Sequence, residues 1–140
     1  MTYLLDTCIL SEGAEKQPNP NVIHWLTTQQ IETLYLSVIS IGEISKGINR
    51  MPEGQRKISL ETWLYQDLIV RFDYRILALN VDVMLAWGDL VGKLQTQGRA
   101  LPVLDSLIAA TAIHQGLRLV TRNEKDFDRT GLTIVNPFNL

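Results

Sequence analysis

Four carboxylates stand where chemistry would first be sought: Asp6, Glu43, Asp105 and Asp126. Asp6 ends the apolar run Tyr3-Leu4-Leu5, and Glu43 closes Ser40-Ile41-Gly42-Glu43. Asp105 precedes the apolar stretch Leu107–Ile113, and Asp126 lies in Asn123-Glu124-Lys125-Asp126-Phe127. Each has a bland use. Ser40-x-x-Glu43 fits a capping box, Asn123-x-x-Asp126 a weaker version of one, Asp105 an N-cap and Asp6 a turn. Gathered in one place the four would repel, and some would take up protons unless a cation lay among them. An all-oxygen set suits Mg²⁺, with Mn²⁺ as a substitute. Zinc is disfavoured, because His24, His114 and Cys8 show no metal-ligand spacing and both histidines read as structural or surface residues. An ion so held would acidify a water and stabilise charge on a phosphorane and its leaving oxygen. Mg²⁺ usually takes one or two carboxylates directly. Asp6 and Asp105 are the candidate direct ligands. Glu43 and Asp126 would orient water, complete a second ion site or act as a general base.

Whether the four meet depends on the elements between them. Tyr3-Leu4-Leu5, Leu34-Tyr35-Leu36, Ile76–Leu79, Leu117–Val120 and Leu132–Val135 read as short strands. Asn19-Pro20 opens a helix to about Gln30, and Ser40–Glu43 opens another to about Arg50, stopped by Pro52. Leu60, Trp63, Leu64 and Leu68 recur at helical spacing, as do Met84, Trp87, Val91 and Leu94, the latter helix ending near Gly98. Asp105 opens a helix that is apolar nearly all round and so buried, ended by Gly116. Short strands alternating with helices predict parallel pairing in a helix-covered α/β sandwich, built as one domain over residues 1–140. Ligands bind beyond the carboxyl ends of such strands, and all four acids follow predicted strands or open predicted helices.

Composition pulls the other way. The chain has 140 residues, with 46% hydrophobic and 20% charged, enough for a sizeable core. Its formal charge is -2, whereas proteins that hold nucleic acid by phosphate neutralisation are usually basic. Taken alone this favours a small-molecule enzyme or a protein-binding module, unless a bound cation offsets phosphate repulsion. No apolar run suits a membrane span, the first residues lack a basic leader, and one cysteine forms no internal disulfide. A cytoplasmic setting is expected.

Lys46, Arg50, Lys93, Arg99 and Arg122 are candidate phosphate contacts, although most surface cations need no special reason. Arg122 is preferred because it neighbours the acids. Thr7 and Thr121 would hydrogen-bond a coordinated water or cap backbone groups. The leucine and tryptophan stripes are core, extending in part to a dimer interface.

Four segments carry a resemblance. They are Leu4-Leu5-Asp6-Thr7, Ser40-x-x-Glu43-x-x-x-Gly47, Leu101-Pro102-x-x-Asp105-x-x-Ile108-Ala109-Ala110-Thr111-Ala112, and Thr121-Arg122-Asn123-x-x-Asp126-Phe127. In order and spacing the chain resembles the PIN-domain family, and within it the VapC-like toxins of type II toxin–antitoxin pairs. The resemblance implies a PIN-like three-layer α/β/α sandwich with a short-stranded, mainly parallel central sheet. It further implies Mg²⁺-dependent endoribonuclease activity, a homodimer, and a small cognate VapB-like antitoxin. The family's acidic site falls on Asp6, Glu43, Asp105 and Asp126, with Asn123 as an auxiliary hydrogen-bonding or ligand residue. The chain departs from the family at Cys8, where asparagine is usual, and at Asn123, which is acidic in some relatives. Two other readings compete. A non-catalytic PIN-like RNA- or protein-binding module would not require the four acids together. A phosphotransfer domain using Asp6 as nucleophile lacks the second aspartate of a D-x-D pair and any glycine-rich phosphate loop.

Overall fold

A computed structural model describes residues 1–140. Five strands form one sheet in the order β3-β2-β1-β4-β5, every pairing parallel. They are β1 (Tyr3–Leu5), β2 (Leu34–Ser37), β3 (Ile76–Leu77), β4 (Arg118–Val120) and β5 (Ile134–Val135). Tyr3 lies opposite both Leu34 and Arg118, so the three central strands are in step and their carboxyl ends finish together. β1 is also where the winding reverses. The chain moves outward through β2 and β3, then returns to the other side of β1 for β4 and β5. Such a switch opens a crevice beyond the strand ends.

The two-residue period of a strand divides the core between the faces. Leu5, Leu34, Leu36 and Val120 point into one cluster with Ile9, Val22, Ile44, Leu64 and Phe72. Leu4 and Leu119 point into the other with Leu90, Leu94, Ile108, Ala109 and Phe127. The first layer is covered by α1 (Thr7–Glu12), α2 (Pro20–Thr27), α3 (Val38–Asn49), and α4 (Gln55–Thr62) with a π-helical turn at Trp63–Leu68 that continues into α5 (Ile69–Arg71). The second is covered by α6 (Val81–Thr96) and α7 (Val103–Gln115). This is the helix-covered sandwich expected from the alternation of elements, in the three layers that the resemblance implies, with a sheet that is wholly parallel.

Several boundaries fall elsewhere than sequence reasoning puts them. α1 is an unforeseen helix of six residues, too short for a periodic signal. α2 stops at Thr27 because the hydroxyls of Thr27 and Thr28 bond back to the carbonyls of His24 and Trp25. α3 begins at Val38, with Ser37 as its N-cap accepting from the Ile39 amide, so Ser40 and Glu43 form no capping box. Strands β3 and β5 keep only two of the four residues expected for each, and β4 starts one residue late. That delay follows from Gly116, which takes the left-handed conformation at φ 68° while the Leu117 amide returns to the Ala112 carbonyl. No helix is long and apolar enough to cross a membrane.

Candidate active site

Asp6 leaves β1 and immediately caps α1, its Oδ1 accepting from the Thr7 amide at 2.8 Å. Its other oxygen accepts from the Thr121 hydroxyl at 2.7 Å, which ties the end of β1 to the end of β4 at the switch in winding. Asp6 is 4% exposed, and charge-assisted bonds of this kind are what make a buried carboxylate tolerable. Thr121 is itself fully buried and also accepts from the Asn123 amide at 3.1 Å, which turns the chain toward Asp126.

Glu43 reaches the crevice from the second turn of α3 and accepts from the Thr7 hydroxyl at 2.7 Å. A carboxylate only accepts, so Thr7 spends its proton there and the buried Ser40 must donate to Thr7 across 2.8 Å. Ser40–Thr7–Glu43 is therefore a directed relay joining α3 to α1. The sequence shows Ser40 and Glu43 at capping spacing, and the true partner of both lies more than thirty residues away.

Asp105 occupies the first turn of α7, behind Pro102, which supplies the N-cap without a side-chain bond. It caps nothing. The helix is held by its buried neighbour Ser106, whose hydroxyl receives the Trp87 indole N–H of α6 at 2.8 Å and donates to the Val103 carbonyl. Burial, then the charges of Asp6, Glu43 and Asp126 in that order, push the Asp105 carboxyl from 3.8 up to about 6. Three of those causes are the other acids, so Asp6, Glu43 and Asp126 all lie near enough to Asp105 to oppose its charge. Asp126 is exposed in a 3₁₀ turn (Glu124–Phe127), anchored by the fully buried Phe127, and Asn123 at its start caps nothing with its side chain. Capping thus accounts for Asp6 alone.

No side-chain cation forms an ion pair with a site acid. The chain's ion pairs are Lys57–Glu53, Lys93–Asp89 and Arg129–Asp128, and none includes a site acid. Nor do three acids close around one point as a ready-made ligand cage. Like charges with nothing between them favour separation, and Mg²⁺ needs only one or two direct carboxylates. An oxygen-only, net-negative donor set fits a hard divalent ion.

Two further residues complete the surroundings. Cys8 places its Sγ 3.7 Å from Asp6 Oδ2 and 3.8 Å from Thr121 Oγ1, and burial followed by the Asp6 charge raises its thiol pKa. Arg122 lays its guanidinium 3.8 Å above the Phe138 ring, and both line an open groove of about 600 Å³ that also includes Asn123 and Asp126. Phe138 gave no signal in sequence, because its partner is sixteen positions away. His24 and His114 are both exposed, and neither forms an ion pair with a site acid.

The protein is a wholly parallel α/β sandwich that carries these acids at the carboxyl edge of its sheet. Residues 3–132 match the sequence profile of the PIN domain, and the chain belongs to the PIN domain family. It is 37% identical to the plasmid stability protein StbB of Pseudomonas syringae pv. tomato over 135 residues, 96% of this chain and 97% of the relative. It is 34% identical to the VapC ribonuclease Y4jK of Sinorhizobium fredii, with 96% of each chain covered. Among solved structures, FitAcB from Neisseria gonorrhoeae superposes with a TM-score of 0.94 at 32% identity, covering 99% of this chain and 100% of that one.

Proposed function

We propose that the chain is a Mg²⁺-dependent endoribonuclease, the toxin of a type II toxin–antitoxin pair, in which Mn²⁺ substitutes for Mg²⁺. The observation that carries this is the convergence of Asp6, Glu43 and Asp126 on Asp105, four acids without an ion-pair partner at the strand ends. A relative named as a ribonuclease and another named as a toxin, each covering nearly the whole chain, support the substrate class and the biological role.

Asp6 and Asp105 would hold the ion, which supplies charge stabilisation and an acidified water when bound. Asp6 is held in place by Thr7 and Thr121, so it enters the reaction preorganised. Glu43, steadied by Thr7, is placed to orient the attacking water or take its proton, and Asp126 lies at the open edge where RNA would enter. Asn123 adds an amide beside it, and Arg122 offers donors to a phosphate. A VapB-like antitoxin would engage the apolar groove of about 280 Å³ lined by Leu10, Leu26, Ile31, Trp63 and Phe72. A homodimer would cover the exposed Val81, Leu85 and Val103.

Incubation with structured RNAs in Mg²⁺, Mn²⁺ or EDTA, beside Asp6→Asn and Asp105→Asn, tests the reading. Chelator-sensitive cleavage is expected, with a loss of about 100-fold in each variant. Equal cleavage by wild type and variants would defeat it. Binding of RNA without any cleavage would favour the non-catalytic module.

A further inference from the structure

The Arg122–Phe138 pair is more than a phosphate contact beside the acids. Phe138 belongs to the C-terminal turn Pro137–Asn139, which the chain holds down at several points. Asn136 accepts from the Phe138 amide at 3.0 Å and donates to the Arg122 carbonyl and to Glu124, while Asn21 donates to the Phe138 carbonyl at 3.2 Å. The ring therefore has a fixed seat, partly buried against the core. Arg122 holds its guanidinium carbon over the ring, 3.8 Å from the centroid, yet donates to no acceptor and meets no carboxylate. Stacking of this kind fixes the plane of a guanidinium and leaves its edge donors free. One face of that plane is covered by Phe138 and the residue is otherwise exposed toward the groove that ends at Asp126.

Beyond Asp126 a second hollow of about 140 Å³ continues, lined by Arg99 and Arg129, and Lys125 borders both. Across the two hollows Arg99, Arg122, Lys125 and Arg129 alternate with the acids Glu124, Asp126 and Asp128, Arg129 pairing with Asp128 at 4.0 Å. Because Lys125 and Asp126 border both hollows, the two together suit an extended chain lying across Asp126 rather than a small substrate within it.

We infer that the exposed face of the Arg122 guanidinium is a stacking platform for one nucleobase of the RNA held in the groove. Stacking on arginine planes and aromatics is a general way to hold unpaired bases, and a base inside a duplex has no free face to offer. The inference rests on the ribonuclease reading, because it names how that site would choose its substrate.

The test compares binding of a fluorescent short oligoadenylate with that of an abasic ribose-phosphate chain of equal length, in Ca²⁺, for wild type, Arg122→Lys and Phe138→Leu. Arg122→Lys keeps the charge and removes the plane. Wild type should prefer the base-bearing chain by about tenfold, and Arg122→Lys should lose that preference while holding the abasic chain as before. Phe138→Leu, which keeps apolar volume, should show an intermediate preference. Equal binding of both chains by wild type, no binding of either, or equal weakening of both in Arg122→Lys would overturn the platform. Metal-dependent cleavage surviving any of those results would leave the ribonuclease reading intact, so the two fail separately.

Discussion

Asp6 is nearly sealed from solvent and receives hydrogen bonds from the Thr7 amide and the Thr121 hydroxyl, whereas Asp105 is partly buried and receives none. Both are aspartates at the same crevice. Asp6 closes the seam between β1 and β4, so its charge is part of what holds the sheet's carboxyl edge together. Asp105 is carried in by a helix secured elsewhere, through Trp87 and Ser106, and its charge is opposed by burial and by three acids. A cation entering the crevice relieves the second aspartate far more than the first. A site of this design stores unfavourable charge on one aspartate and rigid geometry on the other.

That contrast breaks if the two residues respond alike to removal of charge without metal. Asp6→Ala should destabilise the fold by roughly 2–4 kcal/mol, since it strands the Thr121 hydroxyl and a helix-capping amide. Asp105→Asn should instead stabilise it at pH 8, by on the order of 1–3 kcal/mol. The upper figure converts the rise from 3.8 to about 6, and the range is discounted for solvent screening of a group only partly buried. Denaturant melts in EDTA measure both. A fall in stability for Asp105→Asn would remove the idea of stored repulsion.

The same stored charge sets a pH dependence. A carboxyl raised in the native state binds its proton more tightly there than in the unfolded chain. Between pH 3.8 and about 6 the unfolded chain has released a proton that the native one still holds. The Asp105 contribution therefore falls as pH rises through that window and is flat above it. In Asp105→Asn this component should vanish. Mg²⁺ should raise the wild-type melting temperature most above pH 6, where the acid is charged, and least near pH 4.

Much of this arrangement was legible in the sequence, and the parts that were not have a common cause. The order of apolar strands and helices fixes a parallel sandwich, and parallel strands bring Asp6, Glu43, Asp105 and Asp126 to one edge. Capping spacing misled for Ser40 and Glu43, because the helix starts at Ser37 and both side chains answer to Thr7. A pattern of local spacing cannot distinguish a side chain serving its own helix from one serving a residue distant in the chain. Phe138 escaped notice for the same reason, its role being set by Arg122. The short strands β3 and β5 owe their length to tertiary pairing rather than to their own residues.

Thr7 sharpens the comparison, since its amide serves Asp6 and its hydroxyl serves Glu43. Thr7→Val preserves the amide and the shape but ends the relay from Ser40. Stability should fall by about 1 kcal/mol, and cleavage should drop several-fold through kcat rather than KM, as Glu43 loses its fixed orientation. Thr7→Ser, which restores the hydroxyl, should recover most of the rate. Full activity in Thr7→Val would mean that the relay does not matter, and a loss in Thr7→Ser as deep as in Thr7→Val would mean that the methyl group matters as well.

The smallest effect belongs to Cys8. Its sulfur lies 3.7 Å from Asp6 and 3.8 Å from Thr121, long contacts from a weak donor, while Asp6 already has two short bonds from stronger ones. Cys8→Ala should therefore shift stability by no more than about 0.5 kcal/mol and leave cleavage within a few-fold of wild type. The thiol is held protonated by burial and by the neighbouring Asp6 charge, so alkylation near pH 8 should lag behind that of a free thiol. Exchange of asparagine into this position should add little, since the acceptor oxygens it would serve are occupied. A large gain in activity from Cys8→Asn would show that Asp6 is less firmly held than its two short hydrogen bonds require.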